Sequence, residues 1–205
     1  VVRLKGVRVR AWQGIPDITV DNESQIEVLA AAPWGDEIDL SNNVVEVDLQ
    51  DLSSGASRVG ISTNGTVVSI REDSGRISRC SDCRRVLRNG ECSVPECVSY
   101  EGVDDLRLRM VMDDGKSTIS LIANKSASES LIGMNMDEIS SFISENGSMQ
   151  FVQNLREKLL GRQLKANGRT IVDEQGAMLL SDDVSIVEVD SILIATELRE
   201  KWGVK

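Results

Sequence analysis

The sequence predicts a mainly β chain with helices: a five-stranded barrel that carries an inserted four-cysteine module and ends in a C-terminal helix. Three observations lead there. Apolar and polar residues alternate with period two over several short runs, as in Leu106, Leu108, Met110 and Met112 against Arg107, Arg109 and Val111. That is the pattern of strands with one buried face. All four cysteines fall between positions 80 and 97, spaced Cys-x2-Cys-x8-Cys-x4-Cys. Between 126 and 161, and again after Asp190, apolar residues recur at helical spacing instead.

Composition bounds the possibilities. A chain of 205 residues makes one large domain or two small ones. Hydrophobic residues make up 40%, yet the only aromatics are Trp12, Trp34, Tyr100, Phe142, Phe151 and Trp202, so the core must be aliphatic. A net charge of −10 argues against a protein that coats itself in nucleic acid by bulk electrostatics, and leaves room for a local basic groove. No apolar run approaches the roughly 18 residues of a membrane span, so no membrane partner is expected. The chain has no histidine and no phosphate-binding glycine loop. Its acidic pairs, Asp113-Asp114 and Asp182-Asp183, sit at turn signals, and no enzymatic activity is expected. Val1 begins in mid-strand pattern without an initiator methionine, which suggests a fragment of a longer protein.

In chain order, residues 1–33 alternate through Val7, Val9 and Ala11, turn at Gln13-Gly14-Ile15-Pro16, and resume at Asp17-Ile18-Thr19-Val20. That is too little to bury a face alone, so these residues are expected to be the closing strands of a preceding barrel. Residues 34–45 read as a linker and 46–189 as the main domain. Val59-Gly60-Ile61 through Val67-Val68-Ser69-Ile70 is a strand broken at Asn64-Gly65, where Gly65 marks a bulge or a sharp bend. The cysteine module interrupts the β pattern from about 76 to 100. Strands are expected at 106–112 and 118–123 around the turn Asp113-Asp114-Gly115.

Helices follow at 126–132, from the cap Asn135 with Glu138 at its third position, and through Phe151, Leu155 and Leu159 to Gly161. Further strands are expected at 163–166 and 169–172, with Asn167-Gly168 as a hairpin, and at 177–180 and 184–189. Asp190 caps a last helix, within 190–205, with Ile194, Ala195, Leu198 and Trp202 on one side. At three turns it must dock on something, either this chain's own barrel or a partner subunit.

The cysteine spacing suits one tetrahedral Zn²⁺ held by Cys80, Cys83, Cys92 and Cys97, with a basic knuckle of Arg84, Arg85 and Arg88 between the two pairs. Four thiolates leave no open position for water, which makes such a site structural. Two disulfides, or four merely buried thiols, are the competing arrangements. Disulfides need an oxidising compartment, and the sequence carries no secretory cue.

A five-stranded barrel with a helix between its third and fourth strands is the oligonucleotide/oligosaccharide-binding (OB) architecture. Several stretches resemble the archaeal replication protein A family, C-terminal zinc-containing domain of the large subunit. They are Gly65-Thr66-Val67-Val68-Ser69-Ile70, Arg79-Cys80-Ser81-Asp82-Cys83-Arg84-Arg85, Asp105-Leu106-Arg107-Leu108-Arg109 and Gly176-Ala177-Met178-Leu179-Leu180. The resemblance spans about 46–190. It departs from the family at the fourth ligand, where many relatives place a histidine and this chain has Cys97. It also departs at the strand of 117–123, which offers Ile119, Leu121 and Ile122 in place of stacking aromatics.

The resemblance implies a single-stranded DNA-binding protein of DNA replication, recombination and repair, cytoplasmic and chromosome-associated. DNA would lie along a groove lined by Arg107, Arg109, Lys116 and Lys125, flanked by Arg84, Arg85, Arg88 and Tyr100, with Tyr100 and Trp12 stacking on bases. Smaller OB-fold subunits would assemble on the terminal helix through Ile194, Ala195, Leu198 and Trp202. The alternative is an assembly scaffold that binds little DNA of its own.

Overall fold

The computed structural model describes residues 1–12, 15–31, 44–97, 101–173, 176–188 and 190–203. The alternating N-terminal residues form β1 (Val2–Leu4), β2 (Arg8–Trp12), β3 (Ile15–Thr19) and β4 (Ile26–Val28). β1 pairs with β4 and β2 with β3, both antiparallel, and Asn22 and Gln25 make a capping box at the short turn before β4. Among residues 1–10 and 17–31 none is buried, and Val9 and Val28 are open to solvent. The proposed turn at Gln13-Gly14 and most of the linker lie outside the described residues.

The main unit runs through β5 (Val45–Glu46), α1 (Leu49–Ser54), β6 (Val59–Ile70), β7 (Gly75–Cys80), β8 (Gly102–Asp113) and β9 (Thr118–Ala123). It continues with α2 (Lys125–Ile132), α3 (Met136–Asn146), α4 (Ser148–Leu159), β10 (Gln163–Asp173), β11 (Gly176–Ile186) and α5 (Ser191–Trp202). The sheet order is β5-β6-β10-β11-β9-β8-β7, and β6 also pairs with β8. That extra pairing closes β6, β10, β11, β9 and β8 into a ring. Within the ring only the β9–β11 pair is parallel.

β6 closes the ring because it serves two neighbours in turn. Residues 59–66 pair with β10 and residues 66–70 with β8. The switch falls beside Gly65, where a Cβ would come within 3.1 Å of the Met112 side chain. No register shift falls at Gly65: the irregularities of β6 lie at Gly60, at φ +65°, in its pairing with β10, and at Val68 in its pairing with β8.

Inside lie Leu106, Leu108, Met110 and Met112 of β8, Ile119 and Leu121 of β9, and Leu164 and Leu179 of the closing strands. The core is aliphatic, as the composition requires. Phe151 of α4 is its single aromatic among the described residues, meeting Phe142 edge-on at 6.0 Å. The capping box at Asn135 and Glu138 forms as expected, and Asn124 caps α2 by accepting from the Ala127 N–H.

Four expectations are corrected. Asn167-Gly168 is not a hairpin turn: β10 runs straight through it, with a register shift at that point in its pairing with β11. The two expected strands at 177–180 and 184–189 are one strand, bulged at Asp182. The bulge is held by the buried Ser181 hydroxyl, which donates to the Asn167 carbonyl at 2.6 Å. Residues 49–54, where the alternation that resumes at Val45 would continue a strand, are helical, because Leu49 and Leu52 fold back to be fully buried against the ring, with the Leu49 N–H held by Asp114 at 3.1 Å. The cysteine module does not interrupt the β structure from 76. β7 pairs with the first half of β8 from Gly75 opposite Arg107 to Cys80 opposite Gly102, so the module is the tip of a two-stranded ribbon.

Candidate metal centre and nucleic-acid interface

At the ribbon tip the chain turns back on itself three times. The first turn carries Cys83 and ends at Arg84, held at φ 59°, with its N–H donating to the Cys80 carbonyl at 3.0 Å. The second is Asn89-Gly90, both at positive φ as a type I′ hairpin requires, with Arg88 and Glu91 exchanging backbone hydrogen bonds at 3.0 Å. The third is closed by the Cys97 N–H donating to the Val94 carbonyl at 3.0 Å.

These turns bring all four sulfurs within 4.8 Å of one another, with Cys80 buried and the other three partly so. The Cys80–Cys97 and Cys83–Cys92 sulfurs are each 3.4 Å apart, far beyond a sulfur–sulfur bond. A tetrahedron of sulfurs about 2.3 Å from a central ion has edges of about 3.8 Å, so the set fits one four-coordinate metal ion. The surroundings suit it. The Cys83 N–H above all lowers the Cys80 thiol to about 6, with the Asp82 N–H and the neighbouring thiols helping against burial. At Cys92 the Val94 N–H lowers the thiol, but the Cys83 sulfur and burial outweigh it and raise it. Arg79 ties the tip to the sheet: its guanidinium donates to the Arg84 carbonyl at 3.1 Å and pairs with Asp105.

The outer face of the ring carries the cations. Strand register sets Arg169 of β10 beside Leu180 of β11, Leu180 beside Ile122 of β9, and Ile122 beside Arg109 of β8. Leu180, Ile122 and Arg109 each stand between two buried residues and face away from them, and Arg169 faces away from the buried Thr170. One row therefore crosses four strands, about 14 Å wide, with a guanidinium at each end and aliphatic carbon between. The next row, Ile171, Met178, Ser120 and Val111, holds neither charge nor aromatic ring. Beside the first row a cleft of about 380 Å³ is lined by Arg79, Arg107 and Arg169 around Ile122, Leu180 and Asn124.

Arg107 and Arg109 both reach Asp73, at 3.0 and 2.6 Å, while Arg169 has no ion-pair partner among the described residues. Burial, with the nearby Arg109 and Arg79, presses the Arg107 guanidinium below its ordinary range, against the pull of Asp73. A guanidinium stays charged even so. Crowded cations at a shallow cleft with a polar rim form an anion-receptive surface.

Of the residues singled out from the sequence, Arg107 and Arg109 come together on this face. Lys125 opens α2 next to Asn124 at its rim and is exposed. Arg84, Arg85 and Arg88 are exposed on the module, with no ion pair among the described residues. Lys116 lies past the far end of β8, about 20 Å from Arg107 along the strand. There it pairs with Asp48 at 2.9 Å, in a hollow also lined by Glu46, Asp113 and Asp114, and the Asp48 hydrogen bond raises its ammonium above the ordinary value. Tyr100 and the Trp12 side chain lie outside the described residues. Sequence reasoning missed Arg79 and Arg169. Alternation from the buried Thr170 would have put Arg169 on the outer face, had the strand not been broken at Gly168.

No family model matches the chain, and no curated protein matches it. Among solved structures, a replication protein A heterotrimer bound to single-stranded DNA aligns over 77% of this chain at 16% identity and a TM-score of 0.50. In fold, the chain resembles replication protein A. It spans 39% of the length of that replication protein A chain. Yeast replication protein A bound to single-stranded DNA aligns over 68% of this chain and 85% of its own, at 13% identity and a TM-score of 0.44. An OB domain from Thermoplasma acidophilum aligns over 71% and 89%, at 11% identity and a TM-score of 0.36. No helix among the described residues is long and apolar enough to cross a membrane.

Proposed function

We propose that residues 46–189 are an OB barrel that binds single-stranded nucleic acid on its outer face. The row Arg169–Leu180–Ile122–Arg109, beside the cleft of Arg79 and Arg107, carries the reading. In an acidic chain these arginines gather on one surface, which is where a polyanion would be held. Likeness of fold to replication protein A supports single-stranded DNA as the ligand, in DNA replication, recombination and repair.

The strand would be held by phosphate contacts. Base stacking is worth roughly 1–3 kcal/mol per base, and the described part of this face offers aliphatic side chains in place of rings. Binding is therefore expected to be modest, indifferent to sequence and strongly dependent on salt. The cysteine site takes Zn²⁺, since four thiolates in a tetrahedron suit that ion, and its role is to hold the ribbon tip.

Fluorescence anisotropy of a labelled oligo-dT, with duplex DNA as competitor and across a salt series, tests the reading. The expected result is binding that duplex fails to compete, with log Kd changing by about 0.7 per phosphate contact for each decade of salt. Arg169→Ala with Arg109→Ala is expected to weaken it at least tenfold, since charge-assisted hydrogen bonds contribute roughly 1.5–3 kcal/mol each. Binding untouched by that pair of changes would move the site elsewhere.

A second role rests on α5. Asp190 caps it by accepting from the Ile192 and Leu193 N–H groups at 3.0 Å, yet Ile194, Ala195, Leu198 and Trp202 are all exposed, Trp202 at 70%. Ile194, Leu198 and Trp202 stand one turn apart along a single face. We assign that face to subunit assembly, with smaller OB-fold subunits as the proposed partners. Sedimentation of a mixture of the chain with such subunits is expected to show a complex. Ile194→Asp with Leu198→Asp is expected to abolish it without changing the thermal melting of the ring; a complex that survives would remove α5 from the interface.

A further inference from the structure

The arginines of the outer face differ in what already holds them. Arg169 has no ion-pair partner among the described residues, whereas Arg107 and Arg109 converge on a single atom. Nη2 of Arg107 donates to Oδ2 of Asp73 at 3.0 Å, and Nη1 of Arg109 donates to the same Oδ2 at 2.6 Å. Two guanidinium groups are thus aimed at one oxygen, and one anion faces two cations.

Asp73 sits in the turn of residues 71–74 that joins β6 to β7, closed by the Ser74 N–H donating to the Arg71 carbonyl at 3.1 Å. Its side chain is 48% exposed, so a ligand can reach the position it fills. The Arg107 side chain, only 17% exposed, is less free to move away, and its buried Nε has no hydrogen-bond partner. The sites of the two arginines are fixed by β8 and the third party is on a turn, so Asp73 is the member that can yield.

We propose that the Asp73 carboxylate occupies a phosphate subsite between Arg107 and Arg109, and that a backbone phosphate of the bound strand displaces it. The proposal rests on the outer-face reading above. A phosphodiester presents two non-bridging oxygens that share one negative charge, so each arginine can take its own oxygen where Asp73 places one on both, and it matches the forked donors of the guanidinium groups. Asp73 then acts as an internal competitor. It keeps the arginines ordered and partly neutralised in the free protein, and it lowers the affinity for the strand by the cost of breaking its own two contacts.

The consequence is a substitution that improves binding. Asp73→Asn keeps a side chain suited to a turn while removing the charge. It is expected to tighten oligo-dT binding about three- to tenfold at low salt, the scale set by losing exposed ion pairs. Its log–log salt slope is expected to steepen by up to about 0.7, because no displaced carboxylate then takes up a counterion in exchange for the one the phosphate releases.

Glu72→Gln is the control, since Glu72 is the exposed neighbour, 3.9 Å from Arg156, and its change alters net charge equally without touching Arg107 or Arg109. It is expected to leave affinity within about twofold, as a surface charge change does. Asp73→Ser gives a second route to the same neutralisation, and melting curves of all variants report folding. Adding Arg107→Ala to Asp73→Asn is expected to erase the gain. Binding that emerges only with Asp73→Asn supports the proposal too. A wild-type chain that binds while Asp73→Asn and Asp73→Ser bind no tighter than Glu72→Gln overturns the subsite alone. Folded wild-type and Asp73 variants that all fail to bind overturn the outer-face reading with it.

Discussion

Removing the metal, by chelation or by Cys80→Ser, is expected to unfold the ribbon tip and leave the five-strand ring in place. Between Ser81 and Glu101 no described residue is buried, so the module has no apolar core to hold it once the sulfurs are released. Its order depends on three tight turns, one of which keeps Arg84 in the left-handed region at a cost of roughly 1 kcal/mol. A tetrathiolate metal can supply on the order of 10 kcal/mol, far more than those turns consume. The ring has an independent source of stability in the aliphatic core of β6, β8, β9, β10 and β11.

Hydrogen exchange resolves the two regions, provided metal content is measured alongside. The metal-loaded chain is expected to carry one ion and to protect the Cys80 N–H, which donates to the Arg85 carbonyl at 2.8 Å, and the Leu87 N–H, which donates to Ser78 at 2.8 Å. After metal loss those two amides are expected to exchange at near the free rate, while amides pairing β8 with β9 keep their protection. Protection at the tip that survives without metal would show that the four thiols are ordinary packing groups.

The second large effect is expected at Gly168. A Cβ there would stand 2.1 Å from the Leu180 carbonyl oxygen and 2.9 Å from the Ser181 Cα, both backbone atoms that cannot swing aside. Gly168 is also opposite Ser181 of β11 on one side and Ile61 of β6 on the other, at register shifts in both pairings. Any retreat of β10 therefore strains two ladders at once. Gly168→Ala is expected to cost about 3 kcal/mol or more, among the large single-substitution effects. For a chain of this size that corresponds to a fall in Tm of about 6–12 °C. Lys165→Ala, three positions away on the exposed side of the same strand, is expected to leave Tm almost unchanged. A Gly168→Ala protein that melts like the parent would mean that β10 and β11 do not approach so closely.

Gly168 also shows where sequence reading stops. Asn-Gly between two apolar runs is a hairpin signal on local grounds. Here the same pair lies mid-strand, opposite the bulges at Asp182 of β11 and Gly60 of β6, because the close approach of Leu180 decides the matter and that neighbour is twelve residues away in sequence. The helix α1 was hidden for a related reason. Val45, Val47 and Leu49 alternate along the sequence as a strand would, and only packing against the ring makes burying Leu49 and Leu52 on one helical face favourable. By contrast β8, β9 and the caps at Asn135 and Asp190 depend on near neighbours, and these were legible.

The site divides in the same way. Four cysteines in so short a span announce that they meet, and the structure brings their sulfurs within 4.8 Å. The arginine row needs the register of four strands, including the parallel β9–β11 pair, before Arg169 and Arg109 can be recognised as members of one surface. The engagement of Arg107 and Arg109 by Asp73 is invisible from spacing alone, since 34 and 36 residues separate the partners.

The most direct test of the outer-face claim is to follow backbone amide chemical shifts of the zinc-loaded chain as unlabelled oligo-dT is added. The account predicts that the largest changes map to Arg109, Ile122, Leu180 and Arg169, with Asp73 shifting as its contacts are replaced. Changes confined to the ribbon tip or to the acidic hollow around Lys116, with those five amides unmoved, would contradict it.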